Sequence, residues 1–328
     1  MLGKYATARF GVIMGIVISF CLVVAIVCVV CLQPVSFKPN TSLNNSGDDF
    51  IDNAQTYVEP SVAASTQTVT NGSYTYEQKT EASTTFYELT ASPSAGYNFA
   101  YWTKSGVKIS GDRTIRIYSS SYSAGTYVPV FISESNTTYI TSLSSISLAA
   151  DGNAGKLYIL TQDINLTSNH TPIGNGSTTA FAGVIDGNGH KIQGLNATRT
   201  SGDYYGGIVC RLTGVIKNLT IFSGVINGNT AANIGAFAGT VETGGLLSRC
   251  INRAEVKGDL STNTPNVGGI VGAAVGSTAL SSAIYCCENY GSVTGNKVGA
   301  ILYSNPTVNS SPICYLINNK YAGSLQTN

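Results

Sequence analysis

The second half of the chain carries apolar residues in short blocks that alternate with polar residues, and glycine interrupts them every few positions. Such blocks are typical of β-strands, and no stretch there shows the period of an amphipathic helix. From residue 204 onwards one phrase recurs: a large residue, a glycine, a glycine or alanine, and two apolar residues. Its first glycines lie about 30 residues apart, a period typical of stacked repeats, at Gly206, Gly235, Gly268 and Gly299.

Each phrase is followed by a second apolar piece rich in strand-forming residues, at 216–221, 247–251, 284–287 and 313–317. Three of these pieces run into a polar turn that begins at Asn252, Asn289 or Asn318. One such unit cannot bury its apolar face alone, so neighbouring units must stack. The pattern predicts a mainly β fold, a right-handed parallel β-helix over 135–328, with glycine and asparagine at corners that need positive φ. A β-sandwich is the alternative fold.

These repeats resemble the GLUG repeats of bacterial surface proteins, most closely at Gly269-Ile270-Val271-Gly272. The lead-in segments 157–166, 172–174, 181–190 and 192–195 follow the order typical of that family, so the resemblance covers about 140–323. It implies a fold and says little about activity, because glycines and core residues define the family. Cys210 and Tyr303 replace the last glycine of the phrase, so the first and last repeats are expected to be distorted or to act as caps.

Residues 61–134 show longer alternating strands separated by glycine-containing turns such as Ser105-Gly106. They resemble the internalin-type B-repeat, whose L-x-A-x-P-x-x-G-Y-x-F-x-x-W string is carried here by Leu89, Ala91, Pro93, Gly96, Tyr97, Phe99 and Trp102. The resemblance implies a small β-rich module. Trp102 is predicted to pack in its core, because a small β domain needs a large apolar side chain, with ligand stacking as the alternative.

Residues 10–32 form an uncharged apolar run, long enough as a helix to cross a bilayer. Lys4 and Arg9 precede the run and only Lys38 follows closely, which predicts residues 1–9 in the cytoplasm and 33–328 outside the cell. A cleaved signal peptide and a lipid-modified cysteine at Cys28 or Cys31 are alternatives to this uncleaved single-pass anchor. Residues 33–60, rich in Asn, Ser, Asp and Pro, are predicted to be a flexible linker.

Charge is sparse, at 11% of residues with a net charge of +1. No basic face is available to neutralise a phosphate backbone, so nucleic acid is not a predicted partner. The polar surface consists mostly of Ser, Thr, Asn and Gly, and Tyr is abundant, at 19 residues against one Trp. This composition suits an uncharged extracellular surface.

Catalytic chemistry has few candidates. His170 and His190 lack the spacing of zinc ligands on a helix, no nucleotide-binding loop is present, and neither a metal nor a cofactor site is predicted. Some polysaccharide-cleaving enzymes use a parallel β-helix with clustered carboxylates. The residues available for such chemistry are Asp163, Asp186, His190, Arg199, Asp203 and Arg211. The Asp-Gly-Asn-Gly string that begins at Asp186 is first of all a turn sequence, so catalysis there is the less favoured interpretation.

Cysteine use divides between the predicted anchor and the repeats. Aligning the repeats places Cys250 and Cys287 in one column of neighbouring turns, about 4.8 Å apart, within reach of a disulfide. Buried unbridged thiols are favoured, because the interior of a β-helix accepts small apolar side chains.

The sequence therefore predicts a membrane-anchored bacterial surface protein without catalytic activity, which binds host or envelope glycans or extracellular proteins. A polysaccharide-cleaving enzyme, or a non-catalytic fragment of a larger surface protease, is the alternative. A groove with two carboxylates and an arginine would favour the enzyme. An uninterrupted face of Tyr, Asn and Thr would favour binding.

Overall fold

The computed structural model describes residues 64–174, 177–198, 204–229, 231–261, 265–279 and 281–327. The predicted cytoplasmic segment 1–9, membrane anchor 10–32 and linker 33–60 all lie outside these residues. Within the described ranges, no helix combines the length and the apolar character that crossing a bilayer requires.

The N-terminal described part is a small β-rich module of two antiparallel sheets. Its outer sheet contains, in the order of pairing, β1 (Ser65–Val69), β2 (Gly72–Glu81), β3 (Thr84–Pro93) and β6 (Thr114–Tyr118). Its inner sheet contains β5 (Val107–Ser110), β4 (Tyr97–Lys104) and β7 (Tyr127–Ser133). Trp102 is fully buried with Leu89 and Ala91, and its ring centroid lies 5.5 Å from that of Tyr74. The predicted core role of Trp102 is confirmed.

The rest of the described chain is a parallel β-solenoid of about five turns. Face 1 contains β8 (Thr137–Ile140), β9 (Leu157–Leu160), β11 (Val184–Asp186), β16 (Val215–Lys217), β21 (Leu246–Ser248), β26 (Ser282–Tyr285) and β33 (Cys314–Ile317). Face 2 contains β10 (Ile164–Asn165), β12 (Lys191–Gln193), β17 (Thr220–Ile221), β22 (Ile251–Asn252), β27 (Glu288–Asn289) and β34 (Lys320–Tyr321).

The other three faces follow in chain order within each turn. Face 3 contains β13 (Leu195–Thr198), β18 (Gly224–Asn229), β23 (Glu255–Gly258), β28 (Val293–Thr294) and β35 (Leu325–Gln326). Face 4 contains β14 (Tyr204–Gly206), β19 (Asn233–Gly235), β24 (Asn266–Gly268) and β29 (Lys297–Gly299). Face 5 contains β15 (Val209–Leu212), β20 (Ala238–Glu242), β25 (Val271–Val275) and β30 (Leu302–Ser304). A short hairpin joins β31 (Thr307–Val308) to β32 (Ser311–Pro312).

The recurring glycines stack in register on face 4, as the repeat period predicted: Gly206 pairs with Gly235, Gly235 with Gly268, and Gly268 with Gly299. None of these four has a positive φ, which differs from the expectation. Close approach of the backbone excludes a side chain instead. A Cβ on Gly235 would lie 2.1 Å from the carbonyl oxygen of Ala238, where the chain turns from face 4 into face 5.

The described interior of the solenoid is mainly apolar, and it contains a short asparagine ladder inside face 2. Asn252 and Asn289 are fully buried at paired positions, and Asn252 Nδ2 donates to Asn289 Oδ1 at 2.9 Å. Asn318 lies in a different column from the one predicted, because Tyr321 is the residue that pairs with Asn289. Asn318 instead adopts positive φ at the corner after face 1, where Asn218 does the same.

Cys210 and Tyr303, the two residues that depart from the repeat phrase, do not disturb the strand register of face 5. The pairs on either side of Cys210 join β15 to β20, and Leu302, just before Tyr303, pairs with Val271. The two aligned thiols, Cys250 and Cys287, are buried and unbridged, with the Cys250 amide 3.4 Å from the Cys287 sulfur. Burial raises the pKa of the Cys250 thiol well above its usual value.

The inner sheet of the module covers the outer surface of face 1. Ala100 and Ile132 of the module form one apolar cluster with Val215 and Leu246 of the solenoid. Lys108 Nζ donates to backbone carbonyls of the solenoid, at 3.0 Å from Thr213 O and 2.8 Å from Gly244 O. The middle strands of face 1, β16 and β21, are therefore buried on both sides, whereas the outer surface of face 2 carries the exposed side chains described below.

Candidate ligand-binding face

Asp186, the most prominent carboxylate of the sequence, is held in a corner. Its Oδ1 accepts the amide of Asn188 at 2.8 Å, and Asn188 and Gly189 both have positive φ, so the predicted turn is confirmed. Asn218 Nδ2 donates to the same oxygen at 3.2 Å. The other oxygen, Oδ2, lies 3.2 Å from the ammonium of Lys217. Both oxygens of Asp186 are thus engaged by groups of the fold.

The remaining predicted acid/base residues do not gather around Asp186. Asp163 and His190 meet on the outer side of face 2, with Oδ1 and Nδ1 at 3.4 Å. Arg211 lies on face 5, where its guanidinium forms a two-pronged ion pair with Glu242 at 2.5 and 3.0 Å. Arg199 and Asp203 lie outside the described residues. Among the candidates the structure describes, only Asp163 and His190 are brought together.

A buried charged cluster joins the module to face 1. Lys217 is 2% exposed, and its ammonium donates to the Phe99 carbonyl at 3.2 Å and lies 4.7 Å from the centre of the Phe99 ring. Burial lowers the pKa of Lys217. Asp112 of the module pairs with Arg249 on the solenoid, and burial raises the pKa of the Asp112 carboxyl. These groups connect two parts of the fold.

The outer surface of face 2 carries a column of three solvent-facing side chains, each immediately after one of the neighbouring strands β17, β22 and β27. Backbone hydrogen bonds from Phe222, Arg253 and Tyr290 to the preceding turn, at 2.7–2.8 Å, place these three residues on successive turns. Phe222 is 46% exposed and Tyr290 37% exposed. Large exposed aromatic side chains at regular spacing are characteristic of binding surfaces.

Cations of the same face pack against both aromatic rings. Arg253 Cζ lies 4.6 Å from the centre of the Tyr290 ring, and Lys191 Nζ lies 4.7 Å from the centre of the Phe222 ring. Stacking of this kind fixes the orientation of a guanidinium and leaves its N–H edges available. We call Phe222, Arg253 and Tyr290 the aromatic column.

Among the described residues, the charges around the aromatic column are paired, with one exception. Lys191 lies 3.7 Å from Asp163, and Lys320 lies 3.4 Å from Glu288. Glu288 also accepts the hydroxyl of Tyr290 at 2.5 Å, which raises the pKa of that phenol. Within the described part of the chain, Arg253 has no carboxylate within ion-pair distance. It is a guanidinium in a fixed position with unused donors.

A cavity of about 680 Å³ opens at the N-terminal end of the solenoid, between residues 142–148 on one side and residues 166–174 with Ser177 on the other. Its lining is uncharged and includes Ser168, Asn169 and Thr171 above an apolar floor. His170 Nε2 is buried there without a hydrogen-bond partner among the described residues. Burial lowers the pKa of His170 to about 4, so the imidazole is neutral at neutral pH.

The aromatic column was not among the sequence candidates. The sequence does contain a signal for two of its residues. Arg253 and Tyr290 directly follow Asn252 and Asn289, which the repeats align, so extending that alignment by one position would have placed them together. Lys217 could not have been recognised as buried, because its cover comes from residues more than a hundred positions earlier.

Fold and surface together define a parallel β-solenoid protein with an attached antiparallel β module and a solvent-facing aromatic column. No family model matches the chain. A stretch of 136 residues is 32% identical to halomucin of Haloquadratum walsbyi (strain DSM 16790 / HBSQ001). The match covers 38% of this chain and 1% of halomucin, so the chain spans a very small part of that relative.

Proposed function

We propose that this chain is a membrane-anchored bacterial surface protein that binds glycans through face 2 of its solenoid and has no catalytic activity of its own. The aromatic column carries the proposal, because it presents two exposed rings and an unpaired guanidinium on one parallel sheet. Sugars offer apolar faces to aromatic rings and hydroxyls to polar side chains. Adhesion to host or envelope glycans is the role that such a surface suits.

The anchored, extracellular setting of this proposal comes from the apolar run at 10–32 and the charges beside it. The right-handed coil and the kinship with GLUG and B-repeat proteins belong to the proposal as well. The local similarity to halomucin is in keeping with a protein displayed at a surface.

A polysaccharide-cleaving enzyme is the second candidate, and the pair formed by Asp163 and His190 is the observation in its favour. That pair lies beside the aromatic column, so a bound glycan would pass close to it. Asp186, four residues before His190, has its carboxylate engaged by Lys217 and Asn218 and is not free for acid/base work. Binding without cleavage is therefore the favoured function.

A glycan and matrix-protein array, probed with the full-length chain in mild detergent, tests the proposal. We expect saturable retention on a subset of glycans, with the spotted polymers intact afterwards by size-exclusion chromatography. Shortened polymers would show that the chain cleaves glycans and would favour the enzymatic function. Asp163→Asn would then be the first variant to test for loss of cleavage. Retention on matrix proteins but on no glycan would contradict the assignment of glycan as ligand.

A further inference from the structure

The chemical class of the ligand at the aromatic column can be inferred from its one unpaired cation, given the proposed function on which this step rests. We propose that Phe222, Arg253 and Tyr290 form a subsite for a carboxylate-bearing sugar unit of an acidic glycan. The carboxylate would accept hydrogen bonds from the Arg253 guanidinium, and the sugar rings would contact the exposed aromatic side chains on either side.

The position of Arg253 is the first argument. Its guanidinium is held 4.6 Å from the Tyr290 ring centre, and no ion pair with a described carboxylate uses its donors. A planar guanidinium matches a carboxylate in a two-pronged geometry. Because the stacking restricts the side chain before binding, less rotamer freedom is lost on binding.

The local charge balance is the second argument. Lys191 and Lys320 have their own carboxylates at 3.7 and 3.4 Å, so the positive charge that remains near the column is that of Arg253. One unpaired cation suits an isolated carboxylate on a sugar. It does not suit a nucleic acid, whose binding requires many cations along a phosphate backbone.

The spacing of the column is the third argument. Neighbouring parallel strands lie about 4.8 Å apart, so Phe222 and Tyr290, two turns apart, are separated by roughly 10 Å along the solenoid axis. That distance is comparable to the length of a disaccharide unit. A linear glycan lying along the axis would place alternate sugars at the two rings, with the acidic sugar between them over Arg253.

The test measures binding of the full-length chain, in mild detergent, to a soluble polyuronate by biolayer interferometry. The comparison probes are the same polymer with its carboxyl groups reduced to alcohols, a sulfated polymer of equal charge density, and polyglutamate. The variants are Arg253→Gln, Arg253→Lys and, as a matched control, Lys257→Gln, which removes a positive charge from face 3. Unchanged melting temperatures would show that each variant is folded.

We expect Arg253→Gln to weaken polyuronate binding roughly tenfold or more, because a charge-assisted hydrogen-bonded pair is lost. Arg253→Lys should recover part of the affinity, since the charge returns without the planar fork. Lys257→Gln should change binding by less than about twofold, because exposed charges on another face are screened. The reduced polymer should bind more weakly than the polyuronate.

Several outcomes would overturn the inference. Equal binding of the reduced polymer, or an unaffected Arg253→Gln variant, would contradict the carboxylate subsite. Neither outcome would contradict glycan binding itself. Stronger binding of the sulfated polymer, or of polyglutamate, than of the polyuronate would show that a carboxylate-bearing sugar is not the preferred ligand. An equal loss in Lys257→Gln would mean that only net charge matters. No binding to any polymer would defeat both this inference and the proposed function.

Discussion

Lys217 Nζ lies 3.2 Å from Asp186 Oδ2, and the two residues occupy paired positions on neighbouring strands of face 1. The module covers this pair, so the ammonium is almost completely removed from solvent. Removing one member of a buried pair leaves the other charge uncompensated. The carboxylate that the sequence offers first for catalysis therefore has a direct structural role.

Asp186→Ala is expected to lower the free energy of unfolding by about 3–5 kcal/mol, the usual cost of breaking a buried ion pair from one side. Lys217→Met, which replaces the ammonium by an apolar side chain of similar length, should cost less. The double variant should recover much of the loss, because no buried charge is left unpaired. Urea denaturation followed by circular dichroism measures all three.

The double variant also separates structure from catalysis. If a cleavage activity were found, its loss in Asp186→Ala alone would be ambiguous. Loss that persists in a stable double variant would point to chemistry at Asp186. A single variant as stable as the wild type would show that the pair with Lys217 does not stabilise the fold.

Gly268 is expected to be among the least replaceable residues of the solenoid. A Cβ at this position would lie 1.8 Å from the carbonyl oxygen of Val271, so alanine requires the turn between faces 4 and 5 to open. We expect Gly268→Ala to destabilise the fold by about 3 kcal/mol or more. The measurement is the same urea denaturation, with soluble expression as a first indication.

Gly96 provides the matched control for Gly268. It has a φ of +79°, and a Cβ there would meet nothing within 4 Å. Gly96→Ala should therefore cost only the strain of a left-handed residue, about 1–2 kcal/mol. Equal losses at the two positions would show that close approach at Gly268 costs no more than the strain of a left-handed residue.

How far the sequence could predict this molecule depends on how local each feature is. The glycines of face 4 repeat at nearly constant intervals, so Gly206 and Gly235 could be paired from the repeat period alone. Trp102 could be placed in a core for a similarly local reason. The cover over Lys217 could not be predicted, because Phe99 lies 118 positions away and pattern alone does not indicate where the module docks.

The complete aromatic column could not be predicted from the sequence, for another reason. Repeats that differ in length hide which residues share an outer column, since a one-residue shift moves a side chain to the opposite side of a strand. Phe222 has no asparagine before it to mark its position, whereas Arg253 and Tyr290 do. The pairing of strands was needed to place all three together.

The asparagine ladder should be sensitive to small changes. Asn289 accepts from Gly291 N at 3.1 Å and from Asn252 Nδ2 at 2.9 Å, and it donates to Ala300 O at 2.9 Å. Asn289→Ala leaves buried partners without a hydrogen bond, so we expect a loss of about 2–4 kcal/mol. Chemical denaturation gives this value directly.

Asn165 is a suitable comparison, because it is exposed on the same face and its side chain bonds only Gln193, at 2.8 Å, in the described structure. Asn165→Ala should change stability by less than about 0.5 kcal/mol, as is usual for surface positions. A loss of similar size at both residues would argue against a special role for the buried ladder.

His170 makes stability dependent on pH. Burial lowers its pKa in the folded protein to about 4, below the value of 6.5 that an unperturbed histidine has. As pH falls from 7, the unfolded chain takes up a proton that the folded chain does not accept until about pH 4. Unfolding is therefore favoured progressively over this window, and the contribution levels off below it.

The expected loss from pH 7 to pH 4 is about 2–3 kcal/mol, from the size of this shift at 1.36 kcal/mol per pKa unit. His170→Gln removes the titrating group, so the free energy of unfolding should depend less on pH between pH 6.5 and pH 4. The substitution also changes the free energy of unfolding at pH 7. His190→Gln controls for loss of an imidazole elsewhere. Parallel profiles of wild type and His170→Gln would mean that His170 reaches solvent through the cavity, because a hydrated imidazole would not resist protonation.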